Sequence, residues 1–202
     1  MKTMSKISNT AIIGFSVFLC ITLILHFLQP EYEVSQRYIS EFMLGESGWL
    51  LNIAITGNLI GCTAFTIAFY QFHRSHKSVV CLVCLCVATL SVLTNYFPTD
   101  VHGKAVSISG HIHNWGAFIG ALAIFPVMII FPLQLKRLGK LKGLYIALLL
   151  LGPLAPLAFV LLLSIANSAP AYVGIAQRAY ALFVMTWLIL AAFKLKTFNS
   201  NH

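Results

Sequence analysis

Six long apolar runs alternate with short polar segments along the 202 residues of this chain. Each run is about 18–24 residues long, the length that an α-helix needs to cross roughly 30 Å of hydrocarbon. The predicted helices, with approximate bounds, are 9–28, 49–72, 79–97, 113–133, 144–165 and 174–193. The pattern predicts an all-α fold, a polytopic membrane protein in which residues 1–202 form a single six-transmembrane-helix bundle.

Small residues recur at four-residue steps in two of these helices. Gly57 and Gly61 share one face of the second helix, and Gly116 and Gly120 share one face of the fourth. In lipid, such spacing lets two helix backbones approach closely. We expect these faces to pack within the chain rather than to form a dimer.

Charged residues divide between alternate connecting segments. The carboxylates all follow the first or the third predicted helix, at Glu31, Glu33, Glu41, Glu46 and Asp100. Ten of the 13 Lys and Arg residues lie instead at the termini or after the second and fourth helices. Since an excess of Lys and Arg marks the cytoplasmic side, both termini are predicted to be cytoplasmic.

Composition narrows the class further. Charged residues are 9% of the chain, against roughly 25% in soluble domains. The net charge of +8 comes from bases beside apolar spans, with no free basic stripe, so we expect no nucleic-acid partner. Membrane lipids are the expected partner, because such bases face anionic headgroups. A membrane-protein partner or a second copy of the chain is the alternative partner hypothesis.

Polar residues converge on the side that carries the acids. His26, His102, His111 and His113 are predicted there with the carboxylates, and Arg178 lies about one turn inside the sixth helix. An unpaired charge at a helix centre costs ~2.5–3.5 kcal/mol on insertion scales, so Arg178 should face the bundle and pair with Asp100 or Glu41. Snorkelling to the interface is the other interpretation of this arginine. The whole cluster is either a ligand or metal site or an ion-paired lid.

Polar stripes on two helices favour a cavity beneath these loops. Ser91 and Asn95 share a face of the third helix, and Asn52 begins a stripe on the second. We expect these three side chains to line the cavity.

The metal pattern is poor, because zinc needs three or four ligands and no tight spacing is present. We expect no metal and no cofactor, with His26, Asp100 and His113 as the alternative metal set. Cys81, Cys84 and the other cysteines lie in apolar runs, where cysteine behaves as a small core residue.

Two short segments carry a family resemblance. Phe97–Asp100, followed by Gly110–His113, resembles a motif of the bacterial and archaeal integral-membrane family called domain of unknown function 998. Ile39–Phe42 and Gly174–Arg178 are similar to further patterns of that family. The resemblance covers nearly the whole chain and implies a prokaryotic cytoplasmic (inner) membrane location. The positions it implies to matter are Ser40, Glu41, Asp100, His113 and Arg178.

The family has no assigned activity, so three functional hypotheses stay open. The favoured one is a non-catalytic membrane protein whose extracytoplasmic polar pocket binds a lipid headgroup, ion or small ligand, or which supports another membrane protein. The second is a membrane-embedded hydrolase, metal-dependent or not, that uses His113 and Asp100. The third is a small transporter or channel, although few polar residues continue into the cytoplasmic half.

Overall fold

The structure, a computed structural model, describes residues 2–76, 79–101, 103–137 and 144–198. Each predicted apolar run is helical, and six helices are long and apolar enough to cross a membrane. The helices are α1 Lys2–Leu28, α2 Gly48–His76, α3 Val79–Ser91, α4 Ile108–Arg137, α5 Tyr145–Ser168 and α6 Val173–Phe198. The described residues contain no strand, and the all-α polytopic fold is confirmed.

The third span does not stay α-helical to its end. α3 ends at Ser91 and continues as a 3₁₀ helix, Val92–Tyr96. Ser91 Oγ donates to Ala88 O at 2.7 Å, and Thr94 Oγ1 donates to Ser91 O at 2.7 Å. Short hydroxyl side chains that bond to nearby carbonyls offer the backbone an alternative to the α-helical pattern.

The fourth span begins at Ile108, earlier than the predicted start near residue 113. Ser107 explains the difference, because its Oγ accepts a hydrogen bond from Gly110 N at 3.0 Å. A serine that satisfies one of the first free N–H groups is a favourable helix N-cap. The helix therefore includes His111 and His113 in its first two turns.

The helices form a ring in chain order. Each helix packs against the next, and α6 closes the ring against α1. The most extensive packing is between α1 and α2, where a Cβ on Gly14 would lie 2.7 Å from Gly61 N and a Cβ on Gly61 would lie 2.8 Å from Phe15 Cδ1. The prediction that Gly57 and Gly61 mark packing within the chain is confirmed.

The two ends of the ring differ in charge. We call the end where α1, α3 and α5 finish the acidic end, since the segments there carry all five carboxylates. The strap, residues 29–47, connects α1 to α2 at this end and includes a 3₁₀ helix, Ile39–Leu44. We call the opposite end the basic end.

Aromatic side chains fill the ring in the half nearer the basic end. This aromatic plug consists of Phe65, Phe69, Phe72, Phe131 and Trp187. Trp187 is fully buried, with its ring centroid 6.5 Å from that of Phe65 and 6.1 Å from that of Phe131. Its Nε1 donates to Leu148 O at 3.1 Å, which fixes the indole between α5 and α6.

Candidate functional site

A cavity of about 680 Å³ lies inside the ring, lined by side chains from all six helices. At the acidic end it reaches Asp100 and Lys104, and at its deep end it reaches Met185 and Leu188, beside Trp187 of the plug. Leu188 lies fifteen residues into α6, a depth of roughly 22 Å at 1.5 Å per residue. The volume is within the range of pockets that hold one small molecule, roughly 300–1,000 Å³.

The lining changes character along this depth. The polar mouth consists of Ser40, Asn95, Asp100, Lys104, His113 and Asn114. The apolar floor consists of Phe18, Ile55, Ala88, Ile124, Met185 and Leu188. The cavity is therefore amphipathic, with charged and hydrogen-bonding groups at one end and hydrocarbon at the other.

Asp100 fastens the chain that leads into α4. Its Oδ2 accepts hydrogen bonds from Ser107 N at 2.8 Å and from Ser107 Oγ at 3.1 Å. Gly110 leaves space for this carboxylate, since a Cβ there would overlap Asp100 Oδ2. These contacts hold one wall of the polar mouth against the first turn of α4.

His113 is buried, with 7% of its surface exposed, and it lines the cavity. Its Nδ1 lies 3.0 Å from Phe97 O, and a carbonyl can only accept, so Nδ1 carries the proton and donates. In the neutral imidazole this leaves Nε2 as an acceptor. The bond to Phe97 O therefore fixes both the ring orientation and the tautomer.

Arg178 joins α6 to α1 and to the strap. Its Nε donates to His26 Nε2 at 2.7 Å, and its Nη1 donates to Arg37 O at 2.6 Å and Gly174 O at 3.0 Å. The guanidinium carbon lies 5.7 Å from the centroid of the Phe42 ring. Arginine always donates, so His26 Nε2 accepts, and His26 Nδ1 donates to Thr22 O at 2.7 Å.

Glu41 takes a different partner from the one that the sequence predicts. It is fully buried, and its Oε2 lies 2.8 Å from Arg37 Nη1 in a salt bridge. Its Oε1 accepts from Tyr38 N at 3.0 Å. Burial, followed by the Glu41 carboxylate, raises the pKa of Tyr38 above its usual value.

The predicted salt bridge of Arg178 with Asp100 or Glu41 is not formed among the described residues. Arg37 reaches Glu41 because the two residues are four apart in the sequence: Arg37 lies just before the 3₁₀ helix Ile39–Leu44, and Glu41 lies in its first turn. Glu41 still attracts the Arg178 guanidinium electrostatically. His26 and two backbone carbonyls instead accept hydrogen bonds from Nε and Nη1 of Arg178, whereas Nη2 is buried with no hydrogen-bond partner in the described part of the chain.

The structure therefore divides the five predicted site residues into two neighbouring groups. Ser40, Asp100 and His113 line the cavity. Glu41 and Arg178 belong to a second group, which we call the strap cluster and which consists of His26, Arg37, Glu41, Phe42 and Arg178. Ile39 N donates to Gln177 Oε1 at 2.6 Å; both residues line the cavity, and Gln177 directly precedes Arg178 of the strap cluster.

The alternative metal set is not assembled. Within the described ranges no three His, Cys, Asp or Glu side chains are grouped so that they could hold a metal ion. His26 Nε2 is occupied by Arg178, and Asp100 and His113 bond to Ser107 and Phe97. His102 lies outside the described residues.

Several residues that line the cavity are not predicted from the sequence, and one predicted lining residue lies elsewhere. Ser91 and Asn95 line the cavity as predicted, but Asn52 does not line it and is exposed on the outer face of α2. The missed polar lining residues include Asn58, Lys104, Asn114 and Gln177. Asn58 could have been noticed as an amide within an apolar span, where polar residues are expensive.

The fold and this cavity define a polytopic helical membrane protein with a cavity at one end of its bundle. The family model described as protein of unknown function (DUF998) matches residues 12–194, and the chain belongs to this family. No curated protein and no solved structure matches the chain.

Proposed function

We propose that this protein binds one amphipathic, lipid-like molecule in the cavity, with the polar group of the ligand at the polar mouth and its apolar part on the apolar floor. The amphipathic lining of the 680 Å³ cavity carries this proposal. An apolar pocket with a few convergent polar groups is the usual form of a small-molecule site. Membrane lipids are the proposed source of the ligand.

We further propose that the polar mouth faces the outside of a prokaryotic cytoplasmic membrane. Ten of the 13 Lys and Arg residues belong to the termini and to the connections at the basic end. Bases of this kind are retained on the cytoplasmic side, which leaves the acidic end outside. A ligand would then enter from the extracytoplasmic side or from the outer leaflet.

The aromatic plug favours binding over conduction. Phe69 and Phe72 each pack against Phe131, with ring centroids 5.6 and 5.5 Å apart. A channel or transporter needs a polar path across the whole bundle, and these rings supply none in this half. The cavity is accordingly best described as a pocket with one polar end.

The hydrogen bonds that Asp100 and His113 make at the polar mouth also favour binding over hydrolysis. The Asp100 carboxylate bonds to Ser107 and the His113 Nδ1 bonds to Phe97 O. A carboxylate that activated the histidine would instead accept from its Nδ1. These bonds are suited to holding the mouth in shape around a polar group.

A matched pair of α6 substitutions tests the proposal. Ala181 lines the cavity, whereas Ala179, two residues earlier, is exposed and does not line it. Ala181→Trp should fill the cavity and weaken binding of a fluorescent lysophospholipid at least about tenfold, a loss of roughly 1.4 kcal/mol. Ala179→Trp should leave binding unchanged.

Binding is measured in nanodiscs made of ether-linked lipids, with the melting temperature of each variant as the control for folding. Equal binding by the wild type and Ala181→Trp, with both folded, would show that the probe does not occupy the cavity. Absence of binding by the wild type would reject the proposed lipid-like ligand.

A further inference from the structure

One amide lies deep in the apolar part of the cavity. Asn58 lines the cavity and is 7% exposed. It lies ten residues into α2, a depth of roughly 15 Å from the acidic end of that helix. Its cavity-lining neighbours on the same helix are Ile55 and Cys62.

The orientation of this amide leaves its donors available. The Cys62 thiol donates to Asn58 Oδ1 at 3.6 Å, which assigns the oxygen to the Cys62 side. Within the part of the chain that the structure describes, Asn58 Nδ2 makes no hydrogen bond, and this nitrogen is not fully buried, so it is accessible from the cavity that Asn58 lines. A buried N–H group in apolar surroundings is costly unless it finds an acceptor.

A second polar residue lines the cavity roughly one helical turn nearer the polar mouth than Asn58. Tyr180 lies seven residues into α6, roughly 10 Å from the start of that helix. Its ring packs against Phe159 and Phe125, with centroids 5.2 and 6.4 Å away. Among the described residues its hydroxyl makes no hydrogen bond and is not fully buried, so it too is accessible from the cavity, and a tyrosine hydroxyl in apolar surroundings ordinarily finds a partner.

Among the described residues, the charged groups that line the cavity all lie nearer the acidic end. Asp100 and Lys104 precede α4, and His113 lies five residues into α4, a depth of roughly 8 Å. Asn58 is therefore roughly one and a half helical turns deeper than the last ionisable group of the polar mouth. A ligand that satisfies both levels has a polar head, then a neutral hydrogen-bond acceptor, then hydrocarbon.

We propose that the ligand is an acyl lipid whose ester or amide carbonyl, between polar head and acyl chain, accepts hydrogen bonds from Asn58 Nδ2 and the Tyr180 hydroxyl. This inference rests on the proposed function and specifies the ligand class for the same cavity. A neutral carbonyl fits this level because no cation among the described residues lines the cavity there to balance a phosphate. A plain hydrocarbon chain would leave both donors without an acceptor.

The test compares two lysophospholipids of equal chain length and headgroup, one ester-linked and one ether-linked, so that they differ only at the carbonyl. Binding is measured in ether-lipid nanodiscs, so that no bilayer lipid supplies a competing carbonyl. The wild type should bind the ester about threefold to tenfold more tightly than the ether, the effect of one or two net hydrogen bonds. Asn58→Leu should reduce this preference to the part that the Tyr180 hydroxyl contributes, and Asn58→Leu combined with Tyr180→Phe should bind both probes equally, with the affinity of the wild type for the ether.

Two further variants and one control complete the design. Asn58→Asp keeps the size but replaces the donor, and Tyr180→Phe removes only the hydroxyl, so both should reduce the preference for the ester. Asn167→Leu is the matched control, because Asn167 is exposed on α5, bonds to Leu163 O and should keep the full preference.

Equal binding of the two probes by the wild type would overturn the carbonyl assignment and leave the proposed function intact. A preference for the ester that is undiminished in Asn58→Leu, Asn58→Asp and Tyr180→Phe alike would overturn the assignment of these donors. Failure of the wild type to bind either probe would reject the proposed function itself.

Discussion

Arg178 Nε donates a hydrogen bond to His26 Nε2 at 2.7 Å, across 152 positions of the sequence. The bond joins the first turns of α6 to the last turn of α1, so it lies where the ring of helices closes at the acidic end. The same guanidinium holds the strap through Arg37 O. One arginine therefore connects three segments that are separate in sequence.

This relationship predicts energetic coupling between Arg178 and His26. Arg178→Ala should lower the stability of the detergent-purified protein by roughly 1–3 kcal/mol, because Arg37 O and the imidazole lose their donor. His26→Ala should also destabilise. The double variant should be less damaged than the sum of the two losses by about 0.5–3 kcal/mol, since each single change already breaks the shared bond.

Arg178→Ala combined with Asp100→Ala is the control pair. Asp100 bonds to Ser107 instead of Arg178, so these two losses should add within about 0.5 kcal/mol. Melting temperatures measured for all five variants decide the matter. Additive losses for His26 and Arg178, with coupled losses for Asp100 and Arg178, would contradict the arrangement.

A second prediction concerns Gly174, at the start of α6. Gly174 N donates to Ser35 O at 2.7 Å, and a Cβ on Gly174 would lie 2.6 Å from Arg37 O and 2.8 Å from Ser35 O. Gly174→Ala should therefore push the strap away from α6 and cost about 1–3 kcal/mol, the usual cost of overpacking.

Ile175→Ala is the matched control for Gly174→Ala. The Ile175 side chain is 51% exposed on the outer face of α6, so its truncation should have a much smaller effect. The melting temperatures of the two variants are compared in the same detergent. A Gly174→Ala protein as stable as the wild type would mean that the strap does not contact α6 this closely.

The number and approximate positions of the helices could be predicted because apolar length and the spacing of glycines are local properties. The spacing of Gly57 and Gly61 predicts a close helix contact even when the partner helix is not known. The partner is α1, which contacts these glycines through Gly14 and Phe15. No local sequence pattern predicts this partner, because it depends on the order of the helices in the ring.

The partners of the charged residues could not be predicted for a related reason. The sequence predicts that Arg178 pairs with a carboxylate, because buried charges in proteins are ordinarily paired. Glu41 was already within reach of Arg37, four residues away, and a contact this local forms at little cost in chain entropy. His26 then supplied an acceptor that only the closure of α6 on α1 brings near.

A third prediction concerns the aromatic plug. Trp187→Phe removes the hydrogen bond to Leu148 O and part of a fully buried ring. The loss of the bond and the space left behind should together cost about 2–4 kcal/mol. Trp49→Phe is the control, because Trp49 is 62% exposed at the start of α2 and should tolerate the change. Equal melting temperatures for the two variants would argue against a packed plug around Trp187.

The orientation of the bundle gives the last prediction. The Lys and Arg residues concentrated at the basic end should place both termini in the cytoplasm and the strap outside. Alkaline phosphatase is active only after export, so a fusion after His202 should be inactive and a fusion that truncates the chain at Gly45 should be active. Green fluorescent protein at the same two positions should show the opposite pattern, because it becomes fluorescent in the cytoplasm. The reverse result at both positions would turn the polar mouth towards the cytoplasm. A lipid-like ligand would then have to enter from the inner leaflet, although the lining of the cavity would be the same.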